Sequence, residues 1–139
     1  MKMAARQKLE SYAKTLSYEN ALFIPQGGSV NLAQKGMDTL AKELFQSISG
    51  SPIIFYTSGS GVGVVALKKA LDSYFPNASL VVLACAKGDL RQDFLAHSLT
   101  PPLILQAPFA FAKPKREIWQ MREYLKSRGL VCDLIYDSV

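Results

Sequence analysis

The chain has 139 residues, enough for one domain around one core, so residues 1–139 are read as a single domain or domain fragment. It is 49% hydrophobic and 19% charged, which excludes a disordered or polar low-complexity chain. The net charge is +5, yet the basic residues are scattered: Pro114 interrupts the densest group (Lys113, Lys115, Arg116), and no basic stripe alternates with aromatics, so a nucleic-acid partner is not expected.

No run approaches the roughly 20 apolar residues that span a bilayer, and the N-terminus lacks the apolar stretch of a signal peptide. A soluble, cytoplasmic protein without a membrane partner is therefore expected. Cys85 and Cys132 are the only cysteines and His97 the only histidine. That set suits thiols in a reducing compartment and gives no basis for a zinc site.

In chain order, residues 3–16 read as a helix with Leu9, Tyr12, Ala13 and Leu16 on one face. Ala21 to Ile24 is a short, wholly apolar strand of the kind buried in parallel sheets. Pro25-Gln26-Gly27-Gly28-Ser29 forms a glycine-rich loop after it. A helix follows over 31–47, with Leu32, Gly36, Leu40, Leu44 and Phe45 at helical spacing. Ile53 to Thr57 is a second strand, leading into Ser58-Gly59-Ser60-Gly61-Val62-Gly63. A helix over 61–75 then directs Val64, Leu67, Leu71, Tyr74 and Phe75 to a core, and Pro76-Asn77 stops it. Residues 79–85 form another apolar strand. Residues 90–99 hold a short helix, 103–105 a strand, and 115–127 a helix with Ile118, Met121, Tyr124 and Leu125 on its apolar face. Leu130-Val131 and Leu134-Ile135-Tyr136 close the chain in extended form. The alternation predicts βαβ crossovers and an α/β fold with a mainly parallel sheet.

The loop 58–63 is the chemical focus. A strand ending in Ser and Gly and turning at once into a helix gathers backbone N–H donors at the positive end of the helix dipole. A P-loop would need Gly-Lys-Ser/Thr, which is absent. A dinucleotide fingerprint would need GxGxxG and an acid at the end of the next strand. Here the spacing is GxGxG, and that strand runs into Ala84-Cys85-Ala86-Lys87. Two readings stay open: a cup for one phosphate monoester, or a βα turn whose glycines only permit close packing.

Three segments in order resemble the C-terminal half of the fold type II pyridoxal-phosphate enzymes, in the group of 1-aminocyclopropane-1-carboxylate deaminase and D-cysteine desulfhydrase. Phe23-Ile24-Pro25-Gln26-Gly27-Gly28-Ser29-Val30-Asn31 resembles the family's Ile-Pro-x-Gly-Gly-Ser-Asn. Thr57-Ser58-Gly59-Ser60-Gly61-Val62-Gly63 resembles its Ser-Gly-Ser-Gly-Gly-Thr phosphate loop. Phe111-Ala112-Lys113-Pro114, the helix after it, and Gly129 to Asp137 resemble its Tyr-Gly-x-Pro, helix and closing acidic motif.

The resemblance implies an α/β three-layer sandwich with a mainly parallel sheet. This would be an incomplete portion of the large domain of the tryptophan synthase beta-like fold. It implies pyridoxal phosphate as cofactor, held by Ser58, Gly59, Ser60 and Gly61. Asp137 would face the pyridine nitrogen, Tyr136 would be a catalytic residue near the substrate, and Gly27, Gly28 and Ser29 would form a substrate or cofactor loop. It implies a lyase or ring-opening hydrolase that releases ammonia from a small amino-acid substrate.

This sequence departs from the pattern at Val62, where the family has glycine, and at Gly63, where it has threonine. No lysine here sits in the family's Schiff-base motif; Lys2, Lys8 and Lys14 lack its context. The chain is thus expected to be a C-terminal part, inactive alone, with a complementing N-terminal segment or a homo-oligomer as partner. The alternative is a non-catalytic α/β module for a phosphate-containing ligand or a partner protein.

Overall fold

The structure, a computed structural model, describes residues 11–13, 15–16, 24, 28–86, 88–109 and 115–132. Of the expected strand at 21–24 only Ile24 is described, exposed and not in a strand, and the closing segment 133–139 lies outside these residues. The described elements are α1 (Val30–Ser47), β1 (Ile53–Ser58), α2 (Val62–Tyr74), β2 (Ser79–Ala84), α3 (Leu90–Ala96), β3 (Leu103–Gln106) and α4 (Arg116–Ser127). Residues 11–13 and 15 are also helical, within the helix expected over 3–16.

Local chemistry sets most boundaries. The Ser29 hydroxyl accepts the Leu32 N–H at 3.3 Å and caps α1. Gly50, at φ 84°, carries the chain out of α1 toward β1. α2 runs to Tyr74 and stops before Pro76, whose ring cannot continue a helix. Asp89 caps α3 by accepting the Arg91 N–H at 3.1 Å. β3 begins directly after Pro101-Pro102. α4 has no side-chain cap, but Glu117 in its first turn and Lys126 in its last complement the helix dipole.

The three strands form a parallel sheet in the order β1-β2-β3. The register pairs Phe55 with Val81 and Val81 with Leu103, and Ser58 with Ala84 and Ala84 with Gln106. The fold is therefore α/β with a parallel sheet flanked by helices, as the alternating pattern predicts.

The even-numbered strand residues point into the helices. Ile54, Tyr56, Leu80, Val82, Ala84 and Ile104 pack with Val64, Leu67 and Leu71 of α2, Leu90 and Phe94 of α3, and Ala41 of α1. α1 lies against α2. Its inward row is Val30, Gln34, Met37, Ala41 and Leu44, with Gln34 Nε2 donating to the Ala66 carbonyl at 3.2 Å. This corrects the expected row: Leu32 and Phe45 are largely exposed and Leu40 partly so. Ala41 of α1 and Ala66 and Ala70 of α2 are all fully buried, and small residues let packed helices approach closely. α4 likewise buries Ile118 alone of its apolar row and leaves Met121 and Tyr124 exposed.

The odd-numbered strand residues make the other face. Ile53, Phe55, Leu103 and Leu105 are 62%, 74%, 58% and 46% exposed, so among the described residues the sheet is covered on one side only. That face is where the third layer of a three-layer sandwich would lie. No described helix is long and apolar enough to cross a membrane.

The two faces differ in their mutational cost. Phe94→Ala, at a fully buried site, is expected to lower unfolding free energy by about 3–5 kcal/mol in urea titration. Phe55→Ala, on the exposed face, is expected to cost less than about 1 kcal/mol in the same measurement.

Candidate phosphate-binding site

The site grows from the last residue of β1 and the turn into α2. Ser58 pairs in register with Ala84, and its carbonyl accepts the Cys85 N–H at 2.9 Å, so the strand end is held firmly. As an even-numbered residue Ser58 turns its side chain toward the helix layer, where it is 3% exposed. Its hydroxyl makes no hydrogen bond to the described residues, and Ser58 lines an open cavity at the turn.

The turn depends on Gly61. It sits at φ 85° as the N-cap of α2 and offers no side chain to cap the helix. A β-carbon there would lie 2.8 Å from Leu90 Cδ2 and 3.0 Å from Asp93 Oδ2. Backbone angle and space both demand glycine. The first bond into the helix runs from the Val65 N–H to the Gly61 carbonyl at 3.0 Å. The N–H groups of Val62, Gly63 and Val64 precede that ladder and stay available to a ligand.

Tyr56, Thr57, Ser58, Gly59, Ser60, Gly61 and Gly63 line an open cavity of about 280 Å³. Its donors are hydroxyls and backbone N–H groups at the positive end of α2. Among the described residues no charged side chain lines it, although Asp93 stands close behind Gly61. An anion in the cavity would be held by dipoles within the field of a protein carrying +5 overall. The donor set fits a phosphate monoester, which accepts from all sides and needs no cation. No described cluster of three His, Cys, Asp or Glu could hold a metal ion.

Of the residues singled out from sequence, Ser58, Gly59, Ser60 and Gly61 share this cavity. Gly28 and Ser29 do not line it; Ser29 spends its hydroxyl on the cap of α1. Gly27, Tyr136 and Asp137 lie outside the described residues. Tyr56, Thr57 and Gly63 line the cavity and were not assigned to the phosphate from sequence. Strand alternation signals Tyr56, which is two residues before Ser58 and so on the same face.

No protein-family model matches the chain, and no curated protein matches it in sequence.

Ser58 and Gly61 should separate ligand binding from stability. Ser58→Ala removes a hydroxyl that makes no hydrogen bond to the described residues, so its thermal midpoint is expected at or above that of the unaltered chain. Gly61→Ala forces a β-carbon into a left-handed turn and against Leu90, and is expected to cost about 1–3 kcal/mol by the same melting experiment.

Proposed function

We propose that the cavity at the start of α2 holds the phosphate of pyridoxal phosphate, and that the chain is the cofactor-phosphate-binding part of a deaminase or desulfhydrase-like enzyme acting on small amino acids. The observation that carries the reading is Ser58, a 3% exposed residue lining the cavity at a glycine-shaped helix N-terminus, with no hydrogen bond from its hydroxyl to the described residues. The order of motifs along the chain adds to it. In this reading Ser58 and Ser60 donate hydroxyl hydrogens to the phosphate, and the N–H groups at the start of α2 complete the cup. Gly59 and Gly61 let the backbone approach. Each bond to a charged oxygen contributes about 1.5–3 kcal/mol, so three or four such bonds suffice for a stable complex.

When bound, pyridoxal phosphate supplies an electron sink for bond cleavage at the amino acid's α-carbon. Asp137 is assigned to hold the ring nitrogen protonated and Tyr136 to contact the substrate. No lysine in this sequence matches the family's Schiff-base position. The chain is therefore proposed to bind the phosphate and to need a complementing lysine-bearing segment for turnover.

Pyridoxamine 5′-phosphate, which lacks the reactive aldehyde, is the direct probe. The full chain is expected to bind it in calorimetry, to release it to excess inorganic phosphate, and to bind pyridoxamine far more weakly. Binding should weaken as pH falls through about 6, where the monoester loses its second negative charge. Asp93→Asn, by removing the negative charge beside Gly61, should tighten binding a few-fold. Equal affinity for the phosphorylated and unphosphorylated amines would sink the reading. Binding of many unrelated phosphate esters without preference would instead favour a non-catalytic phosphate-binding module.

A further inference from the structure

Three residues of the cavity, Tyr56, Thr57 and Gly63, have no role in the phosphate cup as read from sequence, and two of them, Tyr56 and Gly63, approach each other closely. Tyr56 is the β1 residue two before Ser58, on the same face of the strand, and half-buried. Its ring packs against the core while its phenol end reaches the first turn of α2. A β-carbon at position 63 would lie 2.7 Å from Tyr56 Oη and 3.7 Å from Cζ. The first distance is closer than such atoms approach. The phenol oxygen thus stands in the space that any side chain at 63 would fill. Gly63 is not held to glycine by its backbone angle, because only Gly28, Gly50, Gly61 and Gly129 have positive φ among the described glycines. The requirement at 63 comes from Tyr56 itself.

The Tyr56 hydroxyl has no hydrogen-bond partner among the described residues, and both Tyr56 and Gly63 line the cavity. A phenol with an apolar body in the core and a bare O–H at a polar cavity wall is a directed donor. Resting on the phosphate-monoester reading of this cavity, we infer that Tyr56 is a ligand-binding residue. Its phenol donates to the phosphate from the place that a hydroxyl-bearing side chain at position 63 would otherwise occupy. Tyr56 and Gly63 then form one unit: the tyrosine supplies the donor, and the glycine makes room for it. The absence of a hydroxyl at 63 leaves the cup with its full number of donors, supplied from the strand in place of the helix.

The test uses the full chain and the single variant Tyr56→Phe, the single variant Gly63→Thr and the double variant Tyr56→Phe/Gly63→Thr. Titration with pyridoxamine 5′-phosphate and with pyridoxamine separates phosphate contact from ring contact. Tyr56→Phe is expected to lose about tenfold or more in affinity for the phosphorylated amine, and to keep its affinity for pyridoxamine. Gly63→Thr alone should lose affinity as well, because its side chain displaces the phenol. In the double variant the β-carbon meets a ring carbon at ordinary contact distance, and the threonine hydroxyl should restore most of the loss. Far-UV circular dichroism and melting confirm that each variant is folded. If Tyr56→Phe binds as tightly as the unaltered chain, and that binding is still displaced by phosphate, the role of Tyr56 falls while the phosphate site stands. If the folded double variant binds no better than Tyr56→Phe, the exchange of donors is wrong. If the unaltered chain binds no phosphorylated amine, both readings fall together.

Discussion

The fold turns on the passage from β1 to α2, and that passage turns on Gly61. A left-handed residue there lets the chain leave the strand and enter the helix within three residues, Gly59 to Gly61. Leu90 and Asp93 of α3 close the space where a side chain would project. The turn is therefore clamped from behind by an element some thirty residues later in the chain. Because it is clamped, Ser58 cannot move away from its buried position, and the N-terminus of α2 stays aimed at the cavity. The same constraint fixes the entry of α2, whose Val64, Leu67 and Leu71 then reach the strand residues Leu80 and Val82.

Two kinds of packing follow. On the helix side the sheet is dense: α2 buries the small residues Ala66 and Ala70, and α1 packs on α2 with Ala41 fully buried. The polar link from Gln34 to the Ala66 carbonyl adds direction to a contact that apolar burial alone would leave free to slide. Gln34 Oε1 is buried without a partner, the one such atom among the described residues. On the other side Phe55, Leu103 and Leu105 remain open to solvent. A parallel sheet is ordinarily enclosed on both faces, because its strands are apolar on both. β1 and β2 have that composition, and the exposed row is its direct consequence.

The cavity shows how a binding site can be assembled from residues with different structural duties. Ser58 ends a strand, Gly61 makes a turn, Gly63 clears a space and Tyr56 anchors its ring in the core. None carries a net charge. Attraction for an anion rests on oriented dipoles, which need no reorganisation when the ligand arrives. Asp93 acts against it from behind the turn, so the strength of the site is set by geometry more than by ion pairing.

Much of the architecture was legible in the residue order. Apolar runs between Gly, Pro and Asn signals located every described strand and main helix to within about three residues, the end of α3 being the largest miss, because those signals act through local backbone sterics and the missing proline N–H. Ser-Gly-Ser-Gly after an apolar run was sufficient to mark the loop. Helix faces were less legible. The spacing in α1 suggested the row Leu32, Gly36, Leu40, Leu44 and Phe45, while contact with α2 selected a face that shares only Leu44 with it and carries Val30, Gln34, Met37 and Ala41. The partnership of Tyr56 with Gly63 was invisible for a similar reason. It is a contact across seven residues and two elements, created only when α2 folds back over β1. The sequence by itself determined the order of elements, the turn at Gly61 and the type of donor at the cavity, since each depends on a residue and its near neighbours. Tertiary structure decided which face of each helix is buried, which face of the sheet is left open and which hydroxyl stands at position 63, because those depend on which surfaces approach closely enough to exclude water.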